Sequence, residues 1–311
     1  MKNLHLDLVR VTEAGAIAAA AWVGKGNKLE ADRAATDAMR RRLNEIDFHA
    51  QVAIGEGEKD KSYGIYRREN LGSKRDNFVE AKLPEFDLAI DPIEGTTPTA
   101  NGGYEAMSTL AVANFNSMYR PMSYYMDKLV GGHRLVGAGL SISNTIEGNI
   151  RLASNVLKKP VEKMTVVLLD RTRNLTRIEQ LRQTGVRIKL ISDCDLTACV
   201  AACLPQTGID LYMGVGGSPE GILGGCAVKC LGGFMEAIEY DNKGYVSLGG
   251  QILDLNDLVK GEATFVATGI TKGSLLRGVK YRGSGSTALT HSLAMRSESG
   301  TLRWLETFHG N

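Results

Sequence analysis

Three acidic clusters in this chain occupy the same kind of place, the exit of an apolar run. Glu56 and Glu58 follow Val52-Ala53-Ile54 in IGEGE, Asp91 and Glu94 follow FDLAI in FDLAIDPIEGTT, and Glu220 follows LYMGVGG in LYMGVGGSPEG. Short apolar runs bounded by glycine and proline read as buried strands, and ligands bind at strand ends in α/β sheets. A plain turn needs only Pro92 and Gly95. Two carboxylates so close repel each other unless a cation lies between them. Acids on short glycine-flanked turns can converge on Mg²⁺ or Mn²⁺, which take oxygen ligands. One such cluster reads as a solvated turn. Three together point to a multi-metal site, the device that activates water and neutralises a phosphate in transfer.

The residues after Glu94 extend the same reading. Thr96 and Thr97 place hydroxyls beside a candidate metal-bound carboxylate, where one can orient or deprotonate a water or itself attack. The backbone N–H groups that open the next turn can hold phosphate oxygens. Pro92 would fix the strand exit so that Asp91 and Glu94 face one centre. The chemistry expected is metal-dependent hydrolysis of a phosphate ester.

Positioning these residues requires a layered fold. Helices are expected over residues 4–22 and 29–44, a short strand over 51–54, a charged loop over 61–80, and strands over 86–90 and 107–115. Beyond about residue 160 the pattern becomes βα repeats, with strands at 165–170, 186–191 and 210–216 separated by helical runs such as LTACVAACL. The fold class is therefore α/β, with an α+β first half (1–160) and a three-layer α/β second half (161–311). With no linker or repeat in evidence, two closely packed halves with the site between them are expected.

Composition narrows the partners. The 37 basic residues nearly cancel the 35 acidic ones, for a net charge of +2, so binding of nucleic acid or a membrane surface through bulk charge has no support. No run approaches the roughly 20 apolar residues that cross a bilayer. The amphipathic, acid-containing start reads as a helix that stays in the protein rather than a secretory signal. Five cysteines, Cys194, Cys199, Cys203, Cys226 and Cys230, form no CxxC pair and read as reduced, mostly buried thiols of a cytoplasmic protein.

The motifs also carry a resemblance. DPIEGT resembles the signature of the lithium-sensitive, metal-dependent sugar and inositol phosphatases. IGEGE, DPIEGT, GGSPEG and ATGITKG, in this order, resemble the bacterial class II fructose-1,6-bisphosphatases, and the similarity runs from RVTEAGAIAAA to residue 273. The resemblance implies an αβαβα layered fold, Mn²⁺ or Mg²⁺, a homo-oligomer (dimer or tetramer), and removal of the 1-phosphate of fructose 1,6-bisphosphate, a step of gluconeogenesis. By matching positions, Asp32 and Glu56 resemble the ligands of one metal, and Asp91, Glu94 and Glu220 those of the other. Thr96 matches the catalytic hydroxyl, as nucleophile or water activator. Substrate positions resemble Glu94-Gly95-Thr96, Tyr125, Arg171-Thr172-Arg173, Asp193-Cys194-Asp195 and Gly217. Lys28, Glu58 and Asp60 stand beside these ligands and read equally as solvated charges. The family often has Lys-Pro-Arg where this chain has Arg171-Thr172-Arg173, which keeps the charge and changes the geometry. Asp32 as a surface acid, Asp193 as a helix cap, and the arginines as surface charge are the plainer alternatives. Action on sedoheptulose 1,7-bisphosphate, an inositol or nucleotide phosphatase, and a silent metabolite sensor are the rival functions; the intact carboxylates and Thr96 argue against the sensor.

Overall fold

A computed structural model describes residues 4–55, 63–73, 85–282 and 287–310. The chain divides into two compact units, one of Met1–Met118 with Gly261–Asn311 and one of Tyr119–Lys260. The first begins with α1 (Leu4–Ala20), an alanine-rich helix burying Leu8, Val11, Gly15, Ala16 and Ala19 along one stripe. Left-handed Gly24 and Gly26 follow its end. The side chain of Asn27 then accepts the Glu30 N–H at 3.2 Å and starts α2 (Lys28–Leu43). Next come β1 (His49–Ile54), β2 (Asn70–Leu71), β3 (Glu85–Glu94), the short α3 (Thr96–Asn101) and β4 (Met107–Asn114).

The second unit carries β5 (Tyr125–Gly131), α4 (Ile146–Leu157), β6 (Thr165–Leu169), α5 (Leu175–Thr184), β7 (Arg187–Ile191), α6 (Asp195–Ala202), β8 (Leu211–Gly217), α7 (Ser218–Cys230), β9 (Phe234–Tyr240), β10 (Leu253–Asp254) and α8 (Leu255–Leu258). The chain then re-enters the first unit as β11 (Ala263–Gly269), β12 (Lys280–Arg282), β13 (Thr287–Arg296) and β14 (Thr301–His309).

Each unit has its own sheet. In the first, the order is β2-β1-β3-β4-β11-β13, with β14 and β12 both pairing with β13. Only β1 and β3 run parallel there among the described pairs. Leu8, Met39, Leu43, Phe48, Val52, Leu88, Ile90, Leu110 and Val266 pack into one core between α1, α2 and this sheet. The second sheet has the order β10-β9-β5-β8-β6-β7. Its parallel β6–β7 and β6–β8 pairs use α5 and α6 as connections. Ile150 and Ala153 of α4 and Ile178 and Leu181 of α5 share a core with Leu129, Val166, Leu168 and Met213. Alternation along the strands sends Lys128, Val167 and Tyr212 to the opposite face, where α6 and α7 lie.

The mixed α/β class follows the sequence reading, and all five cysteines are buried and outside any disulfide among the described residues. The compact units do not break at residue 160. Residues 119–160 belong with the second sheet, and the last fifty return to the first because β11 pairs with β4 from Ala263↔Ala113 to Gly269↔Met107. Pairing between segments so far apart leaves no local periodicity to read. None of the described helices is long and apolar enough to cross a membrane.

The approach of α1 to α2 and β4 is set by Gly15, where an added Cβ would lie 2.5 Å from Ser108 Oγ and 2.7 Å from Met39 Cγ. Gly15→Ala should therefore destabilise the protein by roughly 1–3 kcal/mol through overpacking, despite the better helix propensity of alanine. A denaturation midpoint equal to or above that of the parent would show that the packing can yield there.

Candidate active site

The centre of the first unit's candidate site is the corner where β3 becomes α3. Asp91 and Glu94 lie on β3, 2% and 4% exposed, and the register against β4 shifts between them, from Asp91↔Thr109 to Glu94↔Met107. That irregularity is the local effect expected of Pro92, which cannot donate to the ladder. Gly95 then turns the chain with φ 94°, a conformation that strongly favours glycine, and Thr96 is the first residue of α3. The Gly95 carbonyl accepts both the Thr99 N–H at 3.0 Å and the Thr99 hydroxyl at 2.9 Å, closing the first turn.

Helix α2 brings two further candidates to α3. Lys28 and Asp32 are one turn apart on it, and Lys28 Nζ donates to Thr97 Oγ1 at 2.8 Å. The α1–α2 connection is tied down by Gly24 N–H to Thr99 O at 3.0 Å and Gly26 N–H to Ala100 O at 2.8 Å. Ala16, Ala19, Ala31 and Ala35 line the contact with Ile93, so both helices come close to the strand end. ATGITKG has a supporting part here: Ile270 N–H donates to Ala106 O at 2.8 Å, and Thr271 Oγ1 accepts the Ala106 N–H at 3.0 Å.

Glu56, Glu58 and Asp60 lie outside the described residues. Both flanks of their segment are anchored. A Cβ on Gly55 would lie 2.0 Å from Ile65 O, so backbone meets backbone there. Tyr63 donates to Asp37 Oδ1 at 2.5 Å, and Arg40 Nη2 donates to Gly64 O at 2.7 Å.

In the second unit, Tyr125 of β5 faces Gly217 of β8 in register. The Arg173 guanidinium stacks 4.7 Å above the Tyr125 ring and donates from Nε to Val215 O at 2.9 Å. Gly244 admits this stack, because a Cβ there would lie 2.9 Å from Arg173 Cδ. Tyr125, Arg173 and Gly217 are thus brought together. Arg171 and Thr172 are exposed. The strand β6 ends at Leu169 and a 3₁₀ turn begins at Thr172, so Arg171 and Arg173 lie in the turn region beyond the strand.

The two aspartates also part company. Asp193 is partly buried and accepts its neighbour's Cys194 N–H at 3.0 Å, while Cys194 takes a left-handed φ of 65°. Asp195 is 4% exposed, and its Oδ2 accepts Lys128 Nζ at 2.6 Å and Tyr212 OH at 3.2 Å. Its carboxylate is paired internally with the Lys128 ammonium. Sequence reading passed over Lys128; a lysine inside the apolar strand YMDKLVG was the available signal. Glu220 is the third residue of α7, with its carboxylate folded back over Gly217.

A divalent metal fits the chemistry of this donor set. Asp32, Asp91 and Glu94 of the first unit offer carboxylate oxygens alone, the preference of Mg²⁺ and Mn²⁺. Among the described residues no three acids, histidines or cysteines are gathered closely enough to hold an ion by themselves.

Two sheets with flanking helices, and buried acids at a strand exit that opens a helix, are the features of a mixed α/β phosphatase. The chain belongs to the family described as bacterial fructose-1,6-bisphosphatase, glpX-encoded, whose model matches residues 2–309. It is 34% identical to the D-fructose 1,6-bisphosphatase class 2/sedoheptulose 1,7-bisphosphatase of Synechococcus elongatus, over 99% of this chain and 96% of that one. The protein of the same name from Synechococcus sp. (strain JA-2-3B'a(2-13)) is 35% identical over 99% of this chain and 95% of that one.

If Asp91 and Glu94 hold the cation, Mn²⁺ at about 100 times its Kd should stabilise the parent by about 2.7 kcal/mol. Asp91→Asn and Glu94→Gln keep the shape, remove the charge and should lose most of that stabilisation. An unchanged Mn²⁺-dependent rise in Tm would take the substituted residue out of the metal site.

Proposed function

We propose that this chain hydrolyses the 1-phosphate of D-fructose 1,6-bisphosphate, giving fructose 6-phosphate and inorganic phosphate, as a cytoplasmic enzyme of gluconeogenesis. The observation that carries the reading is the β3–α3 corner, where buried Asp91 and Glu94 run through left-handed Gly95 into Thr96. Full-length membership of the bisphosphatase family supports the substrate. Asp32, Glu56, Asp91, Glu94 and Glu220 are the residues that would hold Mn²⁺ or Mg²⁺. Bound there, the cations supply positive charge to the phosphoryl oxygens and lower the pKa of water.

The chain's own groups then have distinct roles. The Thr96 hydroxyl, at the first position of α3, orients the attacking water or accepts the phosphoryl group itself. Lys28, through its bond to Thr97, fixes the turn that carries that hydroxyl. Arg173, held in plane by Tyr125 and Val215 O, offers charge-assisted donors to the second phosphate. Tyr125 and the Gly217 backbone line the sugar. The names of the cyanobacterial relatives favour a second substrate, sedoheptulose 1,7-bisphosphate, which has the same bisphosphate chemistry. The lithium-sensitive superfamily and a dimeric or tetrameric assembly complete the reading.

Phosphate release with Mn²⁺ should be fastest from the two sugar bisphosphates in a panel that includes inositol and nucleotide monophosphates; a preference for a monophosphate would overturn it. Thr96→Ser should keep measurable turnover, whereas Thr96→Ala should lose a factor on the order of 10² or more. Equal activity of the two variants would leave the hydroxyl no chemical role. Arg173→Ala should raise KM for fructose 1,6-bisphosphate about tenfold or more, the loss of one charge-assisted bond of roughly 1.5–3 kcal/mol. It should affect p-nitrophenyl phosphate far less, and equal losses on both would place Arg173 at the reacting phosphate.

A further inference from the structure

Lys128 is the most deeply buried cation described in the second unit, with a side chain 0% exposed. It sits in β5, yet its side chain joins three other elements. Nζ donates to Asp195 Oδ2, at the start of α6, at 2.6 Å, and to Gly217 O, at the end of β8, at 3.0 Å. Its stem packs on the first turn of α7, where a Cβ on Gly221 would lie 3.4 Å from Lys128 Cδ. Tyr212 completes the cluster, donating to the same Asp195 oxygen at 3.2 Å with its ring 5.7 Å from Nζ. Gly216 makes room for it, since a Cβ there would lie 1.9 Å from Asp195 Oδ2 and 2.8 Å from Nζ. Burial alone would lower the Lys128 pKa, but the charge of Asp195 outweighs it and holds the ammonium charged.

A buried ion pair is weak evidence for stability, because desolvation offsets much of its attraction. What this one does is fix places. Asp195 directly follows Cys194, whose left-handed φ of 65° is unfavourable for a residue with a Cβ, and Asp193 stands just before it. Gly217 is the register partner of Tyr125. One ammonium therefore holds both the Asp193–Cys194 corner and the strand end beneath Tyr125. We infer that Lys128 is a positioning residue for sugar binding, acting through Asp195 and the Gly217 carbonyl to hold the surface on which the substrate's sugar rests. This assignment rests on the bisphosphatase reading. The ammonium donates to these two groups, at the Asp193–Cys194 corner and beneath Tyr125, so the effect falls on substrate binding before turnover.

The test is a double-mutant cycle on the full chain with fructose 1,6-bisphosphate and saturating Mn²⁺. An inactive parent would sink the functional reading and this inference with it, whereas an active parent leaves the variants to decide the inference alone. Lys128→Met keeps the length of the side chain and leaves Asp195 buried beside no cation, so it should lose stability. Lys128→Met/Asp195→Asn removes that stranded charge and should recover much of the lost Tm. If Lys128 positions the sugar surface, KM in the double variant stays raised about tenfold or more while kcat changes less than about threefold, since misplacement by about 1 Å costs up to about 10²-fold. Gly216→Ala, which pushes the pair apart without altering either charge, should split KM from kcat in the same direction. Recovery of KM together with Tm in the double variant would make the pair merely structural. A fall in kcat at unchanged KM would place its action on the reacting phosphate instead, and either result overturns the inference.

Discussion

One residue turns β3 into α3, and the first unit is organised around that corner. Gly95 at φ 94° lets a central strand end in two buried carboxylates and a helix begin at the next hydroxyl. A residue with a Cβ would resist the turn by roughly 1–2 kcal/mol. A wider loop would separate Glu94 from Thr96. The neighbours are built to approach the corner: alanines on α1 and α2 pack against Ile93, and two glycine N–H groups from the α1–α2 connection close on Thr99 O and Ala100 O. Small side chains here are a condition of the geometry, because every methylene added would push α2, with Lys28 and Asp32, away from α3.

The second unit is built differently, around buried and stacked charges. Its devices are cations held in place by the protein. Arg173 lies between a tyrosine face and a backbone carbonyl. Arg177 forks onto Asp127, two residues along β5 from Tyr125. Lys128, next in sequence but on the other face of the strand, reaches Asp195 and Gly217. Three positions of one strand, Tyr125, Asp127 and Lys128, thus serve two faces, one built round arginine and one round lysine. Glycines make this possible: Gly216, Gly217 and Gly244 each leave space that a side chain already occupies. The chain's 36 glycines serve such close approaches as well as turns.

Much of this was legible in the sequence where the signal is local. Long helices with an apolar stripe, α1 and α2, and continuous apolar strands such as β6 and β8 fall close to their expected positions. So does the strand-end placement of Asp91 and Glu94, because apolar run, proline and glycine are neighbours. What was hidden is long-range. The strands β13 and β14 pair with each other, but β14 is mostly part-exposed and alternates too weakly to stand out. The division into units depends on β11 finding β4. Arg171 and Arg173 read as one substrate position, and the 3₁₀ turn at Thr172 leaves Arg171 exposed while Arg173 stacks on Tyr125. Asp195 read as a ligand or a cap because its partner Lys128 is distant in sequence and no spacing rule links them.

The insertion of the second unit between β4 and β11 has a consequence for how the chain folds. Contacts within Tyr119–Lys260 are contiguous in sequence, whereas the first sheet is completed only when β11 returns to β4 around that whole segment. Loop-closure entropy grows only logarithmically, by about 0.6 kcal/mol per doubling, so the insertion is thermodynamically cheap. Its cost is kinetic, since non-local strand pairing must wait for that closure. An inserted unit that folds early shortens the effective loop, because its ends no longer wander as a free chain. The tie between Tyr119 N–H and Leu258 O at 2.9 Å does this within the second unit, joining its first residue to one near its last. With those ends fixed together, the chain leaving Met118 and the chain arriving at Gly261 start from neighbouring points. The antiparallel β4–β11 pair, which sits beside the strand carrying Asp91 and Glu94, can then form as if its connection were short.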